Sequence, residues 1–173
     1  MPMHVSMWRR CHVATRVDET FATSWEQMAI ELTNKCGFRC DESALQSLME
    51  FAFERLQLDK ECDLAISLID LDEISALHQE WMDEPGPTDV LSFPMDEIAL
   101  GESRPGILGD IVISPEYAKA GAEKAGTSLD QELQLLAVHG LLHLLGLDHR
   151  ESEEEKAMFA LQGEILREWR SQS

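Results

Sequence analysis

Hydrophobic and polar positions alternate in four short stretches of the chain and recur every three or four residues in five longer ones. These are the periods of strands and helices. Ala29-Ile30-Glu31-Leu32-Thr33 alternates and predicts a first strand starting near Met28. Asp41 suits an N-cap, and Leu45, Leu48, Met49, Ala52 and Leu56 then form the apolar face of a helix over about 42–57. Leu64, Ile66 and Leu68 alternate in a strand over 63–70, and a helix follows over 71–82. Pro85-Gly86-Pro87 breaks it, and 89–93 is a short strand ended by Pro94. Residues 95–107 form a loop and 108–114 a further strand. Ser114-Pro115 is an N-cap with proline at the first helical position, opening a helix to about Ala125. Ser128 with Gln131 makes a capping box for a helix over 129–145, apolar nearly all round, and Gly146 fits the residue just past its end. Ser152 with Glu155 opens a last helix to about Trp169.

The order of elements predicts an α+β fold: one domain over 28–170, a small mixed four-stranded sheet with about five helices on it, and 129–145 as the central buried helix. Residues 1–27 show neither period and read as a disordered leader, with Met28 as an alternative start.

Composition narrows the function. The longest apolar run, from Leu133, is interrupted by histidine and glycine and falls short of the roughly 20 residues that cross a bilayer. No apolar segment follows Arg9-Arg10, so a secretory signal is not expected and the chain is placed in the cytoplasm. Cys11, Cys36, Cys40 and Cys62 then read as reduced thiols, and the Cys36–Cys40 spacing is weak as a metal clip. Against 14 Lys and Arg stand 33 Asp and Glu, a net charge of −19. That excludes a protein that coats nucleic acid through bulk electrostatics.

Candidate chemistry gathers in His139-Gly140-Leu141-Leu142-His143-Leu144-Leu145-Gly146-Leu147-Asp148-His149. His139 and His143, four apart, share a helix face. Gly146 ends the helix and lets His149 return to the same point. Zinc takes three such nitrogen ligands and keeps a fourth position open. A single buried histidine is ordinarily a satisfied core residue, but three at this spacing predict a metal site at the end of the central helix. The first pair has the spacing of zinc peptidases, yet their general-base glutamate is replaced by Gly140, so peptidase chemistry is disfavoured. Asp148 is a candidate for orienting an imidazole or a water, or for accepting backbone N–H bonds in the loop.

The histidine segment fits the pattern H-G-x-L-H-L-x-G-x-D-H and resembles the YbeY family of bacterial endoribonucleases. Pro87-Thr88-Asp89-Val90-Leu91-Ser92-Phe93-Pro94 and Gly109-Asp110-Ile111-Val112-Ile113-Ser114 agree with it, and the likeness runs from about Met28 to Trp169. The resemblance implies one domain with zinc held by His139, His143 and His149. It implies a single-strand-directed endoribonuclease that matures the 3′ end of small-subunit ribosomal RNA and acts in ribosome quality control. Its partners would be precursor ribosomal RNA and the small subunit or its assembly factors, with no membrane and no DNA.

The chain departs from the family pattern before the Thr-Asp-Val block. Where many members carry Asn and Arg, it has His78 and Met82. The family arginine is associated with the phosphate, so a substitute cation is expected. Arg150, beside His149, and Arg104, in the 95–107 loop, are the candidates, although surface solvation is the commoner role for either. His139, Asp148 and Arg150 thus form the candidate catalytic set. His78 is a possible further group near the metal, but is expected as an exposed helix residue. Trp81 and Phe93 could stack a base, but such aromatics are more often core. Met49, Met82 and Met95 are expected in packing.

Zinc would acidify a water and polarise a phosphoryl oxygen. The attacking group is then that water or the RNA 2′-hydroxyl, and the sequence leaves both open. Asp59 to Glu97 holds twelve acidic residues and one lysine, Lys60, so delivery of RNA by a ribosomal partner is expected. A ribosome-assembly factor with a structural zinc and little turnover is the alternative reading.

Overall fold

The computed structural model describes residues 30–148 and 151–172. The expected leader 1–27, with Cys11, lies outside them, as do His149 and Arg150. The elements run β1 (Ile30–Asn34), α1 (Glu42–Arg55), β2 (Cys62–Leu68), α2 (Leu71–Met82), β3 (Val90–Pro94), β4 (Gly106–Ile113), α3 (Pro115–Ala125), α4 (Leu129–Leu144) and α5 (Ser152–Arg170). The sheet order is β1-β2-β4-β3. β1, β2 and β4 are parallel, and β3 returns antiparallel along the edge of β4. This is the α+β arrangement that the two periods predict.

Alternation on the strands sorts the core into two layers. Leu64, Ile66, Leu68, Ile111 and Ile113 face the layer that holds α1, α4 and α5. Leu91 and Val112 face the other way, against Ile74 of α2 and Ile69 just before it. α4 is the hub, touching α1, α3, α5, β3 and β4. Its Leu133, Leu136, Leu141, Leu142 and Leu144 are buried, each side chain worth about 1.5–3 kcal/mol of transfer free energy.

Two glycines from the motifs set how closely these layers approach. A Cβ on Gly140 of α4 would lie 2.8 Å from Ile111 Cγ2 and 3.1 Å from Ser92 Oγ. Ser92 pairs with Ile111 across β3 and β4, and its hydroxyl donates to Gly140 O at 3.3 Å. Gly109, at φ +134°, would drive a Cβ into the carbonyl of Phe93. The three motif segments therefore form one contact: α4 lies directly on the β3–β4 pair.

Local expectations hold at some helix ends and fail at others. Ser128 and Gln131 form the capping box in full, and Asp41 accepts from Ala44 N. Gly146 takes φ +83° and donates its N–H to His143 O. Ser114 stands at the N-cap of α3, but its hydroxyl makes no capping bond; it is buried without a partner among the described residues. Glu151, not Ser152, is the N-cap of α5, and no side chain caps that end. Met49 is buried as expected, whereas Met82 and Met95 are 42% and 54% exposed and pack little. Cys36, Cys40 and Cys62 are free thiols. Among the described residues no helix is long and apolar enough to cross a membrane.

Candidate functional site

The site is built on the last two turns of α4. Because α4 is pressed onto the sheet through Gly140, the neighbouring positions His139 and His143 are turned along its half-buried flank, one turn apart. The Nε2 atoms of the two rings are 3.1 Å apart. Their planes cross at 80° with centroids 4.6 Å apart, so the rings converge at their tips rather than stack.

α5 fixes the first ring. Gln162 is largely buried, and its Oε1 lies 3.0 Å from His139 Nδ1. An amide oxygen only accepts, so Nδ1 carries the proton and Nε2 presents a lone pair toward His143. Holding one imidazole nitrogen so that the other is basic is how ligand histidines are set. Two nitrogens bound to one tetrahedral zinc at 2.0–2.1 Å would be about 3.3 Å apart. The observed separation fits that ion with a shift of tenths of an ångström. Among the described residues no third His, Cys, Asp or Glu joins the pair. His149, the expected third ligand, and Arg150 lie outside the described residues. Asp148 sits half-buried in the turn that follows α4.

Gly140 now has a physical reason. A glutamate there, as in zinc peptidases, would point into Ile111 and Ser92 rather than toward the histidines. The position serves packing and has no room for a base.

The other candidates make contacts of their own. His78 Nδ1 lies 2.9 Å from Gly86 O and its Nε2 3.4 Å from a Glu84 carboxylate oxygen, so it ties the end of α2 to the turn after it. Trp81 and Phe93 meet edge to face at 5.7 Å, and Phe93 packs with the α2 layer, behind the sheet as seen from α4. Met82 is exposed at the end of α2. Arg104 donates to Glu97 O at 2.6 Å and pairs with Glu102 at 3.5 Å, within its own loop. Asp110 lies on the sheet face opposite Ile111, where burial raises its carboxyl above the ordinary range.

Beside His139 a cavity of about 320 Å³ opens between α4, α5 and the start of β3, lined among others by Asp89, Glu132, Leu135, Phe159 and Gln162. Phe159 is 44% exposed, its ring centroid 6.2 Å from that of His139. Burial first, then the charge of Asp89, raises the Glu132 carboxyl above its usual range. Gln162, Phe159 and Glu132 are the site residues that sequence reasoning missed. Glu132 had a signal, since it precedes His139 by two helical turns on the same face. The other two reach the site across the α4–α5 contact, which no local spacing announces.

The sequence profile described as "Endoribonuclease YbeY" matches residues 30–170. A curated protein of that name from Nocardia farcinica is 51% identical over 148 residues, covering 82% of this chain and 80% of its own. Another from Acidothermus cellulolyticus is 47% identical over 152 residues, covering 83% and 93%. A solution structure from Thermotoga maritima is 30% identical, with a TM-score of 0.55 over 83% of this chain and 93% of that one.

Proposed function

The chain belongs to the YbeY family, and on that premise we propose that it is a zinc-dependent, single-strand-directed endoribonuclease. Its substrate is the precursor of small-subunit ribosomal RNA, cut in the maturation of its 3′ end and in ribosome quality control in the cytoplasm. The convergence of the His139 and His143 Nε2 atoms at 3.1 Å carries this reading, and the relatives' name, endoribonuclease, supports it.

His139 and His143 would hold the zinc, with His149 as the third ligand. When bound, zinc supplies Lewis acidity, acidifying a water and polarising a phosphoryl oxygen. The chain does the rest. Gln162 keeps the proton on His139 Nδ1, so that ring stays a neutral nitrogen donor. Phe159 and Leu135 line the cleft beside His139 and would offer an apolar wall to an unpaired strand. Ser92 and Gly140 hold α4, and so both rings, in register with the sheet.

The acidic surface requires that the substrate be brought. Binding to naked RNA would be weak and salt-sensitive, with a ribosomal partner presenting the strand.

The test is single-stranded RNA incubated with the purified protein, with and without a chelator, beside His143→Ala. Cleavage should vanish in the chelator and in the variant, and return to the native protein with zinc. Cleavage that survives in His143→Ala would remove the activity from this site.

A further inference from the structure

The cavity beside His139 carries chemistry that the histidine pair does not use. Asp89 and Glu132 both line it, with the ring of Phe159 on the α5 side and Leu135 between. Among the described residues neither carboxylate has an ion-pair partner. Asp89 uses Oδ1, which accepts from Val90 N at 2.8 Å and from the Thr88 hydroxyl at 3.3 Å, and keeps Oδ2 available. Among the described residues the Glu132 carboxylate accepts no hydrogen bond, and after burial the nearby charge of Asp89 raises it.

Two unneutralised carboxylates repel phosphate, so this is not where the RNA backbone sits. They ask for N–H donors on a ligand whose body is flat and apolar enough to lie along Phe159 and Leu135. A nucleobase is such a ligand, and single-stranded RNA is read through unstacked bases set on aromatic rings and bonded along their edges. The volume, at the small end of the roughly 300–1,000 Å³ of ligand pockets, suits one base and not a paired one.

Ionised carboxylates accept and never donate, which discriminates among bases. Adenine and cytosine offer one amino group flanked by a ring nitrogen acceptor. Uracil offers one N–H between two carbonyls. Guanine alone sets two donors side by side, N1–H and the 2-amino group. We propose that the cavity bounded by Asp89, Glu132, Leu135 and Phe159 is a guanine-selective base pocket, placing the base of one nucleotide beside the metal site. Glu132 would take the two adjacent donors, Asp89 the remaining amino hydrogen, and Phe159 the ring face. The assignment rests on the endoribonuclease reading and gives it a substrate preference.

The test uses 2′-O-methyl pentanucleotides that differ only at the central base, binding to the full chain followed by fluorescence anisotropy. Guanine should bind about tenfold or more tighter than adenine, the worth of one good bidentate contact. Inosine, which lacks the 2-amino group, should fall between. Glu132→Gln should narrow the gap between guanine and inosine, and Phe159→Ala should weaken every base. Equal affinity for all four bases, or a guanine preference intact in Glu132→Gln, overturns the pocket. The unmethylated oligonucleotides separate this from the broader reading. Guanine-selective binding without any cleavage refutes the nuclease and leaves the pocket standing. Cleavage with no base preference does the reverse.

Discussion

Gln162 of α5 holds His139 of α4 by a 3.0 Å contact between the amide oxygen and Nδ1, so the helix that carries the ring is not the helix that orients it. Gln162→Leu keeps the volume near that of glutamine and removes the acceptor. Loss of such an outer partner typically costs about 10–100-fold in metal affinity. Competition with a chromophoric chelator should show a loss in that range while circular dichroism is unchanged. Native zinc affinity in the variant would mean that the amide is a packing contact only.

Gly140 predicts the opposite pattern, lost stability with both histidines and Gln162 left in place. In Gly140→Ala the added methyl meets Ile111 Cγ2 at 2.8 Å, and a branched side chain wedged between helix and sheet cannot swing aside freely. Overpacking of this kind costs about 1–3 kcal/mol. Urea denaturation should show it as a lower midpoint with an unchanged slope. A variant as stable as the native chain would show that α4 can lift from β3 and β4 at no cost.

These two residues mark where the sequence was legible. The histidine pair could be read because both rings lie on one helix, and helical spacing alone puts them together. The elements could be read for the same reason, with ends off by one or two residues where strands and caps blur. What failed depended on contacts between elements. Ser114 and Ser152 have the residue type of a cap, but α3 buries the first hydroxyl and α5 starts one residue earlier than its serine suggests. Trp81 and Phe93 were aromatic near a motif, and only the two-layer packing shows that they pair behind the sheet. Met82 and Met95 lie on helix and loop ends where the described residues leave about half of each exposed. Phe159 and Gln162 carry no local mark and become site residues only because α5 lies along α4.

The two capping serines should part company on substitution. Ser128 accepts from Gln131 N and belongs to a complete box, so Ser128→Ala should cost about 1 kcal/mol. Ser114 buries an Oγ that bonds nothing among the described residues, a burden of about 1–3 kcal/mol by itself. Ser114→Ala should therefore be neutral or stabilising by up to about 1 kcal/mol, less whatever small void the lost oxygen leaves. Equal losses in the two variants would mean that Ser114 has a partner, such as a water.

Cys40 should be a slow thiol. Burial, then the charges of Glu42 and Asp130, push it up to about 11. The thiolate is the reactive form, so alkylation of Cys40 by iodoacetamide should be slow near pH 8 and climb steadily until about pH 11. A rate that levels off near the ordinary thiol range would show that the acidic neighbours are screened.

Glu132 should stabilise the site's chemistry at the expense of the fold. Its carboxyl is raised above the ordinary 4.5 by burial and by Asp89, so the native state resists its ionisation more than the unfolded chain does. Below the unfolded value the group is protonated in both states and costs nothing. As pH rises, the unfolded chain ionises first, and stability falls until the native carboxyl has also ionised; above that the loss is constant. Glu132→Gln removes the titration and keeps the shape. Denaturant unfolding should find the variant more stable than the native protein at about pH 7, with the gain shrinking toward zero by about pH 4. A gain of the same size at both pH values would assign it to packing, and a loss at neutral pH would mean that the native carboxylate is paired with a cation after all.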